Sequence, residues 1–575
     1  MTSSKDGGGP MAVSHYVGGR ACVRAELPLA AGAVSRANAL ALRNRRGADT
    51  RTAVLEYVVR HAENGPNRAA VTDGERTLSY RDLLEEVAAM RSALLARGVR
   101  AGDVVAAAGH RSVGTPVVFL ALESIGAVCL PVDLGWPKGR VWDVLVRGRA
   151  VLLLDYSGAD DAAHAARSAA AAGGIVVLRW PEPNGAGELP SRSGQLPPLN
   201  GDDRSNETRY TIFTSGSTGR PKGAAIEHQG MLNHLWAKAT DLSLGPDDVM
   251  AFTAPLGFGI SVWQLLSPLL VGGHVVVVDE AAMRFPRRLI NALDTAGVTV
   301  VELVPTVVGW LVGEMQRLGG GTLNKLRCLL STGEELYPAV AARVHETLPH
   351  VRLINAYGFT ECSDDVTHHL VTPADVTRTR LPVGSPVIGT TLYLLVREAD
   401  GTWRAAEPGE SGELFAGGAG VGLGYLNDPS ATDRAFFRDP FDRDSPTGRL
   451  YRTGDLARFD EQLVYYLGRG DRQVKVAGVR MELDEIEAVL SRHPGIEKCA
   501  VAVSGEGELG ELVAHYSLRS PVPLEELHKT LSSALPLPMV PRRWREWDTL
   551  PLTHNGKVDH RSLRAAVTTP GKEAR

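Results

Sequence analysis

The chain has little that would tie it to a structural metal, a membrane or a nucleic acid. Its five cysteines, Cys22, Cys129, Cys328, Cys362 and Cys499, are scattered, with no Cys-x-x-Cys pair. That spacing argues against structural zinc and suits thiols kept reduced in the cytoplasm. No apolar run approaches the roughly 20 residues of a membrane-spanning helix, and no secretory signal is expected at the start. The net charge is −4, so no basic excess draws the chain to nucleic acid or to anionic lipid. Nothing repeats at a fixed period, which excludes a solenoid. What is present is ordinary globular composition, 44% hydrophobic and 22% charged over 575 residues. That is material for roughly two to four domains or subdomains.

Residues 1–50 carry Gly7-Gly8-Gly9 and several arginines but little apolar periodicity. They are expected to form a partly disordered arm; an organellar transit peptide is the weaker reading of the same bias. Ser79-Tyr80-Arg81-Asp82 reads as a capping box with Asp in the usual Glu position. Leu83, Leu84, Val87, Met90, Leu94 and Leu95 follow with helical spacing, and Gly98 is the stop. Residues 104–108, 127–132 and 151–154 read as short buried strands between helical patterns. After a Pro- and Gly-rich loop at 181–206, strand patterns recur at 274–278, 298–304 and 326–330. Such alternation predicts a parallel α/β layer. A smaller segment begins near Arg472, with a helix over 483–490.

The strongest local signal is Phe213-Thr214-Ser215-Gly216-Ser217-Thr218-Gly219-Arg220-Pro221-Lys222-Gly223. It holds three glycines, four hydroxyls and a lysine in eleven residues after an extended apolar lead. Glycines let successive N–H groups converge on an anion, and hydroxyls and an ammonium add donors. A flexible Gly/Ser loop is the ordinary reading. The lysine and the strand-like lead weigh against it, and the spacing is not that of a Walker loop.

With its companions in order, this motif resembles the adenylate-forming superfamily of acyl-CoA synthetases, luciferases and nonribosomal peptide synthetase adenylation domains. The companions are Leu78-Ser79-Tyr80-Arg81-Asp82-Leu83, Asn355-Ala356-Tyr357-Gly358-Phe359-Thr360-Glu361, Gly412-Glu413-Leu414, Gly422-Leu423-Gly424-Tyr425-Leu426 and Tyr451-Arg452-Thr453-Gly454-Asp455-Leu456. Then come Gly468-Arg469-Gly470-Asp471-Arg472-Gln473-Val474-Lys475 and Asn555-Gly556-Lys557-Val558-Asp559. The resemblance runs over about residues 53–565 and suits the peptide synthetase branch best.

It implies a mixed α/β fold. A large N-terminal domain of stacked α/β sheets (51–470) meets a hinge at Asp471 and a small mobile α+β domain (471–565), followed by a tail (566–575). It implies ATP with Mg²⁺. Thr214, Ser215, Gly216, Ser217, Thr218, Gly219 and Lys222 would hold the β- and γ-phosphates. Tyr357 would offer a face to adenine, Asp455 would accept from the ribose hydroxyls, and Arg469 would touch phosphate or ribose. Glu361, beside Thr360, would hold Mg²⁺, and Lys557 would bridge the substrate carboxylate and the α-phosphate. Singly, each residue has an ordinary reading: Asp455 a turn, Glu361 a surface acid, Tyr357 core packing, Lys557 a hairpin tip, Arg469 a surface ion pair. The ordered set overturns these. His368-His369 has no ligand partners in sequence and reads as structural.

The acyl pocket departs from the pattern. Relatives activating α-amino acids carry Phe-Asp where this chain has Phe258-Gly259, so the usual partner of the α-ammonium is missing. The other pocket positions carried over are Ile260, Trp263, Glu302, Leu330, Thr332, Ala356, Asp364 and Asp365. Three buried acids repel one another and favour a cation. The expected substrate is therefore an amino acid with a displaced basic nitrogen, such as a β-amino or diamino acid. Two alternatives are an α-amino acid held by Glu302 or Asp365, and, ranked lower, a keto or hydroxy acid at Gly259.

Only a dozen residues follow Leu563, so a carrier protein acting in trans is expected to accept the acyl group, with an MbtH-like protein as a further partner. The rival readings are an acyl-CoA synthetase and a catalytically inactive adenylate-binding protein.

Overall fold

The computed structural model describes residues 23–74, 76–158, 161–180, 196, 203–216, 220–470, 472–504, 510–551, 558, 560 and 562–563. Ser217, Thr218, Gly219, Asp471 and Lys557 lie outside them. Three sheets build the large N-terminal part. One has nine strands, with Cys328–Ser331 between Val300–Leu303 and Arg352–Phe359 in parallel register. A second has seven, with Val104–Ala108 parallel to Val128–Val132 and Leu152–Asp155. A third is antiparallel and centres on Thr390–Arg397, Ser411–Gly418 and Arg449–Asp460.

The alternation read from sequence is what folds. The short Val-, Leu- and Ala-rich runs are buried on both faces, as parallel strands require. Ser79 caps Tyr80–Ala96 through a reciprocal box with Asp82, and Gly98 follows with φ +83°. The stretch expected as an arm is partly built in. From Val23 on it packs: helix Ala33–Leu40 lies against the antiparallel sheet, and Leu42–Asn44 pairs with Thr390–Leu392.

After residue 470 the chain forms a hairpin, Gln473–Val476 with Val479–Glu482, then helix Leu483–Leu490 and a three-stranded sheet. The hairpin turns on Ala477 and Gly478, with φ +49° and +77°, as a two-residue hairpin turn demands. This segment has its own core around Met481, Ile486, Leu490, Tyr516 and Trp544.

Candidate active site

The glycine loop joins two antiparallel strands, Thr208–Thr214 and Lys222–Glu227, with Thr214 opposite Lys222. Thr214 Oγ1 donates to the Lys222 carbonyl at 3.5 Å. A Cβ on Gly216 would sit 1.9 Å from the Arg220 carbonyl oxygen, so only glycine closes this turn. The donors of the loop already face anions. The Gly216 N–H donates to Glu485 Oε2 at 3.2 Å, and Lys222 Nζ lies 3.9 Å from Glu482 Oε1. Both acids come from the C-terminal segment. Arg140 fixes Glu485 from the other side at 2.7 Å, and Ser215 Oγ donates to the Arg480 carbonyl at 3.1 Å.

Glu361 sits in the short turn Thr360–Cys362 with no exposed surface; Thr360 beside it is half-buried. Tyr425 Oη donates to one of its oxygens at 2.8 Å and Arg480 to the other at 2.7 Å. Burial would raise its pKa, but Arg480, the Tyr425 hydroxyl and Lys222 together hold it below the usual carboxylate range. It is an ionised, buried carboxylate, the donor type that a hard divalent cation takes alongside phosphate oxygens. In this arrangement Arg480 stands where such a cation would bind. Among the described residues no group of three or more His, Cys, Asp or Glu side chains is placed to hold a metal.

The expected nucleoside residues meet. Asp455 and Arg469 are cross-strand neighbours and form an ion pair. Tyr357 Oη donates to the other Asp455 oxygen at 2.6 Å. The Tyr357 ring stands edge-on to Phe359 at 5.1 Å. Burial raises the Asp455 pKa, while Arg469 and Tyr357 oppose that rise.

At the acyl end the structure corrects the expectation of three acids awaiting a cation. Two already have one, Lys238, which lies outside every aligned motif position. Helix His228–Asp241 presents His234, Lys238 and Asp241 at i, i+4 and i+7, one face of the helix. Lys238, with no exposed surface, bonds to Asp365 and to Glu302, the latter at 3.2 Å. It also stacks on the Trp263 ring at 4.5 Å. Trp263 Nε1 donates to Glu302 Oε2 at 2.7 Å, and Thr332 Oγ1 to Asp365 at 3.4 Å. His368 bridges Asp365 at 3.4 Å and Asp241 at 2.7 Å, and His369 meets Asp375, so both histidines are structural. Burial would lower the Lys238 pKa, but the charges of Asp365 and Glu302 raise it instead.

Asp364 points elsewhere. It and Asp365 pair in turn with Phe359 and Gly358, and successive residues of a strand send their side chains to opposite faces. Its carboxylate lies beside Gly259, the residue preceding helix Ile260–Leu270. Of the remaining pocket positions, Leu330 is wholly buried in the main core, Ile260 packs on that core, and Ala356 is buried opposite His368.

A family model described as AMP-binding enzyme matches residues 58–426, and its C-terminal domain model matches 485–557. The chain belongs to the AMP-binding enzyme family. It is 33% identical over 529 residues to enterobactin synthase component F of Escherichia coli (strain K12), covering 89% of this chain and 39% of that protein. Among solved structures it resembles PA1221, an NRPS protein containing adenylation and PCP domains. The TM-score is 0.74 at 27% identity, covering 91% of this chain and 99% of that one. It also resembles AB3403, a four-domain nonribosomal peptide synthetase bound to AMP and glycine. There the TM-score is 0.62 at 25% identity, covering 93% of this AMP-binding chain and 37% of the other. The fold is thus that of adenylate-forming enzymes. No described helix is long and apolar enough to cross a membrane.

Proposed function

We propose that this chain is an AMP-forming ligase that adenylates a non-standard amino acid and passes the acyl group to the phosphopantetheine thiol of a separate carrier protein. One observation carries the nucleotide half of this reading. The glycine-loop amide of Gly216 and the ammonium of Lys222 each face an anionic group, and both anions belong to the C-terminal segment. Groups that hold carboxylates in this way suit the β- and γ-phosphates of ATP once Glu485 and Glu482 withdraw. Tyr357 and Asp455 then take adenine and ribose, since each carboxyl oxygen of Asp455 can accept a ribose hydroxyl beside its present donor.

In the first half-reaction the substrate carboxylate attacks the α-phosphorus and pyrophosphate leaves. The protein's work is positional and electrostatic. Lys222 and the loop amides balance charge on the leaving pyrophosphate. Lys557 is assigned the carboxylate and α-phosphate by the motif alone. Mg²⁺, when bound, would neutralise phosphate charge, and Glu361 is the residue to hold it after Arg480 has moved. In the second half-reaction a thiolate attacks the acyl carbon, the C–S bond forms and AMP departs. The arrangement with hairpin 473–482 and helix Leu483–Leu490 against the loop suits this second step, because Glu482 and Glu485 face the donors assigned to pyrophosphate.

The amino-acid assignment rests on Asp364, the one pocket acid not joined to Lys238. Since Lys238 already bonds to the other two, and burial with the Asp365 charge raises the Glu302 pKa to about 7, a second basic group on the substrate is not required, and a β-amino or α-amino acid with one amine suffices. Pyrophosphate exchange over a panel of carboxylic acids tests the reading. Exchange with amino acids supports it, and exchange only with fatty or aryl acids rejects the substrate class. Mass spectrometry of acyl transfer to holo-carrier proteins against coenzyme A, with and without an MbtH-like protein, separates carrier loading from acyl-CoA synthesis.

A further inference from the structure

Of the three pocket acids, only one is open. The Glu302 and Asp365 side chains are each 1% exposed and engaged by Lys238, whereas that of Asp364 is 11% exposed. Its Oδ2 has no hydrogen-bond partner. His234 Nε2 lies 3.2 Å away without hydrogen-bonding geometry, and both nitrogens of that buried ring are also unpartnered. A buried carboxylate oxygen left in this state is costly unless a ligand meets it.

Position 259 supplies the second observation. A Cβ placed on Gly259 would lie 3.2 Å from Asp364 Oδ1 and 3.6 Å from its Cγ. The Asp364 carboxylate therefore fills the volume that a side chain at 259 would enter. Glycine there is what lets it do so. An aspartate at 259 would bring two carboxylates together and force a proton onto one of them.

We propose that Asp364 is the amine anchor of the acyl pocket, reaching from strand Asp364–Leu370 into the space left by Gly259 to receive the ammonium of an α- or β-amino acid. The inference rests on the adenylation reading above and deepens it. The charged and titratable groups around Asp364 are Asp365, Lys238, Glu302, His368, Lys475, His234 and Tyr210. His234 is kept neutral, since burial and Lys238 push its pKa down to about 3. It neither competes as a cation nor repels the ammonium. Burial and the charge of Asp365 raise the Asp364 pKa, so an arriving ammonium finds a group that gains a partner by ionising. Lys238 and its two acids form a buried cluster whose charges act on this anchor.

The test is pyrophosphate exchange with matched sets: an α-amino acid, its β-amino isomer and the des-amino acid of the same skeleton. Wild-type protein is expected to favour an amino acid over its des-amino partner, and Asp364→Asn to reduce that preference on the order of 100-fold, mainly through KM. Nucleotide binding and the melting temperature should stay unchanged. Gly259→Asp combined with Asp364→Ala should restore the preference from the other side of the same space. Unaltered selectivity in Asp364→Asn, or a wild-type preference for des-amino acids, would overturn the anchor and leave adenylation standing. A wild-type protein that binds no ATP and exchanges with no acid would remove the adenylation reading and the anchor with it.

Discussion

The two ends of the site handle charge in opposite ways. At the end assigned to the nucleotide, the charged partners of Lys222, Glu361 and the Gly216 amide are Glu482, Arg480 and Glu485. All three partners sit beyond residue 471 on a separate structural unit with its own core. At the acyl end Lys238, Glu302, Asp365 and Trp263 all belong to the large N-terminal part and have almost no exposed surface, with His368 half-buried beside them. On the proposed function, the first set would exchange its charged protein partners for phosphates and metal, since those partners lie on a unit with a core of its own. The second cannot open without stranding a charge in the core. On the proposed function, the difference teaches where adaptability lies: charges assigned to the nucleotide have partners borrowed from the C-terminal unit, and charges assigned to the acyl pocket are locked.

The largest expected effect breaks the locked set. Lys238→Met leaves Glu302 and Asp365 buried against each other. It should destabilise the fold by about 3–5 kcal/mol, as removal of one member of a buried ion pair does. Denaturant unfolding checks this, and adding Glu302→Gln and Asp365→Asn should recover much of the loss. Next comes a break in the borrowed set. Lys222→Ala should leave unfolding midpoints nearly unchanged while slowing pyrophosphate exchange by roughly 10²–10³-fold, the scale for losing one charge-stabilising donor. A large drop in stability instead would show that this end is locked as well.

Arg480→Ala sharpens the contrast further. Arg480 reaches Glu361 from the hairpin; if that hairpin docks only for the second half-reaction, as proposed, adenylation should be spared and thiol loading slowed by about tenfold. Separate rates for the two half-reactions decide it; equal loss of both would contradict a borrowed role.

The smallest effect concerns pH. His228, on the same helix as Lys238, is wholly buried, and Arg209 Nε donates to its Nδ1 at 3.0 Å. Burial and the charge of Arg209 lower its pKa to about 4. Below about 6.5 the unfolded chain binds a proton that the folded chain refuses, so stability falls as pH drops from about 6.5 toward about 4. The slope contributed is at most roughly 1.4 kcal/mol per pH unit. His228→Gln should flatten that part of the stability profile.

Much of this was legible before the structure. The box at Ser79, the buried strands, the helix Leu483–Leu490 and the meeting of Tyr357 with Asp455 followed from local chemistry and ordered motifs. Lys238 was not legible, because it belongs to no motif and its partners lie 64 and 127 residues away. A signal existed: a lysine within a helix whose neighbours Leu235, Ala237 and Ala239 are buried, in a chain whose pocket holds three acids. The role of Gly259 was readable only as an absence, since the carboxylate that fills its space comes from a strand a hundred residues on. The partners Arg480, Glu482 and Glu485 were hidden because the placement of one structural unit on another is not written in local periodicity.

The account stands or falls on which bond of ATP breaks and what triggers it. Phosphorus NMR of the purified protein with ATP, Mg²⁺ and the amino-acid panel should show AMP and pyrophosphate accumulating only when an amino acid is present. ADP with inorganic phosphate, or AMP formation indifferent to every carboxylic acid, would contradict it.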